Sequence, residues 1–411
     1  MFMFVSSSHH FLSCGICWVT TALSRGGAQK SSPYHYALIT HRLSDIKTHG
    51  RFFFMALEFF LGSNSPGGFH SFYDWLIDLD TARDVLILKG GPGCGKSSFM
   101  RRVGQHLEKA GLSAEYILCS SDPESLDGVI FPTLKAAIVD GTSPHVTEAK
   151  FPAAIERYVN LGEHYDLMPI KANREEIRSL TLACKKPYTR VNYSLSAAHA
   201  LENDMFDAVL DDGALNTLTR RVKGIIAREI SPGTGKILKK RFLSAITPGG
   251  MICRFDTARE MCGRIYELYD NYGLAPFMLA PILRAALSAG QEVYACYCPM
   301  NPVHKLEHLL LPGLGLGFVS SSDLHPYDEK PLRRIRLDAC LDVNLLRTKR
   351  SRLRFLHKTR DSLLNDAVAT LGEAKAAHDK LEALYNPHVN FEAVYQAAAD
   401  TAEQLLQSAY P

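Results

Sequence analysis

The sequence predicts an α/β fold: tandem P-loop NTPase-like parallel-sheet domains, each with an added helical hairpin. Three observations predict it. A short apolar run at residues 85–89 leads into a glycine-rich loop, and Phe99, Val103 and Leu107 beyond it have helical spacing. A second apolar run, residues 136–140, ends in aspartate one β-α unit later. The chain from residue 240 onward echoes the chain from residue 58 onward, at an offset of about 180 residues.

The loop carries the chemistry. Gly90, Gly95, Lys96 and Ser97 fit G-x-x-x-x-G-K-[ST] between a strand and a helix. Glycines let the backbone curl into a nest of N–H groups, and the helix N-terminus adds partial positive charge. Gly90, Gly91, Pro92, Gly93, Cys94, Gly95, Lys96, Ser97 and Ser98 are therefore the expected phosphate-binding residues. Lys96 is expected to reach the β- and γ-phosphates, and Ser97 with Asp140 to hold Mg²⁺. Asp122, Asp127 and His145 are the candidates for positioning or activating water. Gly141 follows Asp140 where many P-loop ATPases carry glutamate. Cys94 reads as a small tolerated residue, with a redox switch as the alternative.

Bulk properties set limits. A chain of 411 residues has room for two or three domains, and 46% hydrophobic with 22% charged residues is ordinary globular composition. A net charge of +3 does not point to nucleic acid. Ten scattered cysteines predict a reducing compartment, and hence a cytoplasmic protein, over a disulfide framework. Cys14 and Cys17 form a C-x-x-C with no second pair at zinc spacing; Cys296 and Cys298 read as core.

Residues 1–54 have no interpretable pattern, are too polar for a membrane span and lack the basic start of a signal peptide. Met55 is the expected natural start. The first domain is expected over 58–235. It opens with a strand and turn at 59–69 and a short amphipathic helix at 72–79. A strand at 114–119 leads to a polar loop and helix start at 120–127, capped by Ser121 or Asp122. Helical spacing is expected over 155–161, 173–184 and 194–227.

The second domain is expected over 240–411. Ala110 and Gly111 match Ala289 and Gly290; Glu115 and Cys119 match Glu292 and Cys296; Glu202 matches Glu382. Pro276 falls where Lys96 stands, Phe277 where Ser97 stands and Ser320 where Asp140 stands, so this copy is expected to have lost phosphate and Mg²⁺ binding. Residues 231–236 resemble a P-loop fragment but follow a helix and lack its first glycine and its Ser/Thr, so they read as linker. The basic residues at 330–336 and 347–354 could bind a polyanion, but the leucines among them favour a solvated helix face.

Residues 90–97, 119–128 and 135–145 together resemble a family of duplicated P-loop ATPase-like proteins from Firmicutes, over roughly 58–411. The resemblance implies a tandem fold and nucleotide binding. In that family the second half usually keeps its own P-loop; here it does not. The expected function is therefore Mg²⁺-dependent binding of ATP or another NTP, with hydrolysis in the first repeat and an inactive second repeat as support or regulator. A small-molecule or nucleotide kinase and a nucleotide-gated scaffold are the alternatives, the latter with a protein partner on the hairpins.

Overall fold

The computed structural model describes residues 56–144 and 146–409. The expectations about residues 1–54, the start at Met55 and the role of His145 lie outside the described residues.

The first half begins with β1 (Leu57–Phe59), the hairpin β2 (Gly62–Ser65) and β3 (Gly68–Ser71), and β4 (Asp84–Lys89). Helix α1 (Lys96–Lys109) follows, then β5 (Glu115–Leu118), β6 (Leu126–Phe131), β7 (Ala136–Asp140) and β8 (Glu156–Asn160). The sheet order is β1-β5-β6-β7-β4-β8. β4 is an interior strand, one in from the edge, parallel to both β7 and β8. Its residues Leu86, Ile87 and Leu88 are fully buried, because helices and loops cover both faces. Each such side chain contributes roughly 1.5–3 kcal/mol of burial.

Helices α2 (Arg174–Lys185), α3 (Pro187–Val209) and α4 (Asp212–Glu229) follow the first sheet. The second half contains β9 (Ile237–Arg241), the hairpin β10 (Ser244–Thr247) and β11 (Gly250–Cys253), and β12 (Arg264–Tyr269). Helix α5 (Pro276–Ser288) comes next, then β13 (Glu292–Tyr297), β14 (Leu306–Leu311), β15 (Leu316–Ser321) and β16 (Arg333–Arg336). Its order, β9-β13-β14-β15-β12-β16, is that of the first sheet strand for strand. Both sheets are mixed: β6 and its counterpart β14 run antiparallel to their neighbours. The chain ends in the 36-residue helix α6 (Arg350–Tyr385) and α7 (Phe391–Ala409).

Several local expectations are corrected. Residues 72–79 hold only a 3-10 turn, Tyr73–Trp75. Residues 120–127 do not start a helix; a turn closed by Ser125 N–H donating to Asp122 O feeds strand β6. Within residues 155–161 the chain forms the edge strand β8, with Glu156 buried, Arg157 and Val159 half-buried, and Tyr158 and Asn160 exposed. The expected helix at 194–227 is two helices, broken at Leu210 and restarted by Asp211, whose carboxylate accepts from Ala214 N at 2.7 Å. The basic run at 330–336 is largely edge strand β16, with Arg334 paired to the buried Glu267.

The terminal helices cross between the halves. α4, which closes the first half in sequence, packs on α5 beside the second sheet. α7, which closes the second half, packs on α1 and adds Val394, Ala398, Ala402 and Leu405 to the first core. Between them α3 lies along α6. The sheets meet where Phe60 and Phe242 exchange backbone hydrogen bonds of 2.9 and 2.8 Å. Beside that pair Arg241, 1% exposed, donates to Glu115 Oε2 at 3.3 Å. Burial pushes the Glu115 carboxyl up, but Arg241 and Lys239 outweigh it and hold it below its ordinary value.

Candidate functional site

The glycine loop leaves the C-terminal end of β4 and enters α1. Gly93 and Gly95 have φ of 67° and 87°, conformations that glycine adopts without penalty. Gly90 lets the loop close over Cys94, since a Cβ there would run into the Cys94 sulfur. No side chain caps the N-terminus of α1, and no acidic residue lies in its first turn, where Ser97 and Ser98 sit. That end is left for an anion from elsewhere.

The expected side chains converge on it. Lys96 Nζ donates to Gly90 O at 3.1 Å and Gly91 O at 3.0 Å, and stands 3.6 Å from Asp140 Oδ2. The parallel pairing of Leu88 with Asp140 places that carboxylate beside the loop. Asp140 Oδ1 accepts from Thr142 N and Oγ1 at 2.9 and 2.6 Å, which leaves Oδ2 facing the lysine. Ser97 Oγ accepts from Leu126 N at 2.9 Å. A hydroxyl on the loop helix and a buried carboxylate on the adjacent strand are the hard oxygen ligands that Mg²⁺ takes, so the residues present fit the ion.

The other candidates are placed differently. Asp127, the second residue of β6, lies one residue beyond the Gly128–Val139 pair, so it stands across from Asp140. Its Oδ2 accepts from Tyr73 Oη at 3.0 Å, and burial together with Asp127 pushes that phenol far up, so Tyr73 keeps its proton. Asp122 holds the turn before β6 through Ser125 Oγ at 2.9 Å and lies 3.7 Å from Lys375 Nζ of α6. Cys94 is 1% exposed, and burial pushes its thiol up, which disfavours the thiolate a redox switch needs.

Residues outside the motif complete the walls. Tyr165 Oη donates to Pro92 O at 2.8 Å. Gly93 N–H donates to Glu382 Oε1 of α6 at 3.2 Å. A Cβ on Gly93 would collide with Asn386, and one on Gly95 would stand 3.3 Å from Phe391 and Val394 of α7. These contacts come from parts of the chain far from the loop. The one sequence signal was the match of Glu382 to Glu202, which carried no chemistry by itself.

The second half builds the same corner differently. β12 leads to a loop and then to α5, with Pro276 at its first position and Phe277 next. Asp270 stands where Gly90 does. Its carboxylate accepts from Tyr272 N at 3.1 Å, Gly273 N at 2.9 Å and Ala275 N at 2.7 Å. The nest is thus filled by a side chain of its own loop. Ser320, opposite Leu268 as Asp140 is opposite Leu88, donates to Glu307 O at 2.6 Å. Beside this loop is a cavity of about 280 Å³ lined by Glu202, Lys305, Glu307 and His325 among others.

Fold and site define a class: an α/β protein of two tandem P-loop-like domains, with one loop touched by a carboxylate from a distant helix and one filled by its own aspartate. Residues 69–131 match the family described as Nephrocystin 3, N-terminal. That match spans the glycine loop and α1 and stops before Asp140. No curated protein and no solved structure matches the chain. Among the described residues no helix is long and apolar enough to cross a membrane.

Proposed function

We propose that the chain is an Mg²⁺-dependent nucleotide-binding protein that hydrolyses ATP, or another NTP, in its first half, with the second half as support or regulator. The observation that carries this reading is the meeting of Lys96 and Asp140 at an uncapped helix N-terminus, at 3.6 Å. The backbone of residues 90–97 would cradle the phosphates, and Lys96 would leave the Gly90 and Gly91 carbonyls to pair with them. Ser97 and Asp140 would hold Mg²⁺, which neutralises charge on the β- and γ-phosphates when bound. With glycine at 141, Asp127 is the carboxylate beside Asp140 that could orient water, once released by Tyr73. The Asp270 carboxylate in the second nest supports a single nucleotide site.

The same features support kinship with duplicated P-loop ATPase-like proteins of Firmicutes. Free cysteines at eight described positions, four of them buried, support a reducing, cytoplasmic setting.

The test is phosphate release from Mg-ATP by the full chain and by Lys96→Ala. Release should fall on the order of a hundredfold or more in the variant. Equal release from both proteins, or none from a parent that binds ATP, would overturn hydrolysis at this loop.

A further inference from the structure

The first cradle is closed from the other half of the molecule. Gly93 N–H, at the turn of the loop, donates to the Glu382 carboxylate at 3.2 Å. Asn386, a turn later, packs against Gly93, and α7 then runs over Gly95. Glu382 therefore sits at the joint between α6 and α7. That joint is tied back to the first half: Asp166 N–H donates to His388 O at 2.8 Å and Asn390 N–H to His164 O at 2.9 Å. Tyr165, between those two partners, holds Pro92 of the loop.

The repeat supplies an independent observation. Glu202, the counterpart of Glu382, lies on α3 of the first half yet lines the cavity of the second. Each half thus sends a glutamate from a long helix into the opposite half's cleft. In the second cleft Asp270 satisfies the loop amides. In the first, Gly90 has no side chain to do so, and a carboxylate from the other half touches the loop instead.

Resting on the nucleotide reading of that loop, we propose that Glu382 is a displaceable anion in the phosphate cradle. It holds the empty loop closed, a polyphosphate drives it out, and the α6–α7 joint moves with it. One N–H cannot serve a carboxylate and a phosphate at full strength, and two anions in van der Waals contact repel. Nucleotide occupancy is thereby registered by the C-terminal helices. His378 and Asp379 share the Glu382 corner, and Lys375 Nζ stands 2.9 Å from Asp379 Oδ1, so that neighbouring acid already has a counter-ion.

The experiment measures ADP affinity without Mg²⁺ for the full chain, Glu382→Ala, Glu382→Gln and Lys96→Ala. Removing a hydrogen-bonded competitor should tighten ADP about fivefold in the alanine variant. The glutamine variant, which keeps the side chain's size, should tighten it less. Misfolding would weaken binding, so a gain cannot come from structural damage. Glu373→Ala, exposed on the same helix, should leave affinity unchanged. ADP should also raise amide exchange over residues 386–391 in the parent, whereas in Glu382→Ala it should be raised before ADP is added. Parent-like affinity in both Glu382 variants, with Lys96→Ala impaired, would overturn the displaceable anion and leave the nucleotide site standing. No ADP binding to any of the proteins would overturn the nucleotide reading and this inference with it.

Discussion

The loop after β4 and the loop after β12 leave matching strands in sheets of identical order, yet their backbone N–H groups find their partners in different ways. At the first, glycine occupies position 90, the helix is uncapped, and the loop is met by the Lys96 ammonium and by a glutamate from far away. At the second, one aspartate at position 270 takes three backbone N–H groups, and proline removes the donor at the head of the helix. The difference teaches that a curled backbone is not enough for an anion site. What differs is where the carboxylate comes from: at the second loop from the loop's own Asp270, at the first from Glu382 of a distant helix.

Matched substitutions sharpen the comparison. Gly93→Ala should have the largest effect. It combines a φ of 67° with a collision against Asn386, and should weaken ADP binding about tenfold or more. Gly273→Ala shares the positive φ, but its nearest neighbours are 3.9 Å away. It should cost about 1–2 kcal/mol in denaturant unfolding and leave ADP binding alone. Asp270→Ala uncovers three amides and should cost about 2 kcal/mol by the same measurement. ADP should still bind one per chain, because Pro276 stands in place of the lysine. A second bound ADP would break the comparison.

The last prediction concerns pH. Burial alone would push the Glu307 carboxyl up, but His308, His325 and Ser244 outweigh it and hold it down to about 2, below the ordinary 4.5. A depressed carboxyl stabilises the fold above its ordinary value and loses that contribution as pH falls through its folded value. The Tm of Glu307→Gln should therefore lie below the parent's at pH 7, and the gap should close between pH 4.5 and 2. A gap that widens on acidification would refute this.

What the sequence revealed was what local chemistry determines. The run ending at Lys89, the glycines and the spacing of Phe99, Val103 and Leu107 specify strand, loop and helix without help from distant residues. Asp140 was legible because an apolar strand ended in a carboxylate one unit later. β6 was missed because Ser121, Asp122 and Pro123 have helix-cap chemistry, and only the neighbouring strands turn that segment into a hairpin. β8 was missed because Ile155, Tyr158 and Val159 stand at i, i+3 and i+4, a helical spacing, in a segment short enough to be a strand. Glu382 and Asn386 could not be found at the loop, since nothing in one strand of text says that α6 and α7 reach the opposite sheet.

That crossing has a consequence for how the molecule can vary. In an assembly of two identical chains, any substitution appears in both clefts at once, so a change like Gly90 to Asp270 would silence both. Here the two clefts lie on one continuous polypeptide, and each position is free to differ from its counterpart. The crossed helices α4 and α7 each pack on the opposite half, as an exchanged arm does in a dimer. Covalent continuity therefore separates two things a symmetric pair cannot: keeping the crossed packing, and letting the two clefts carry different side chains.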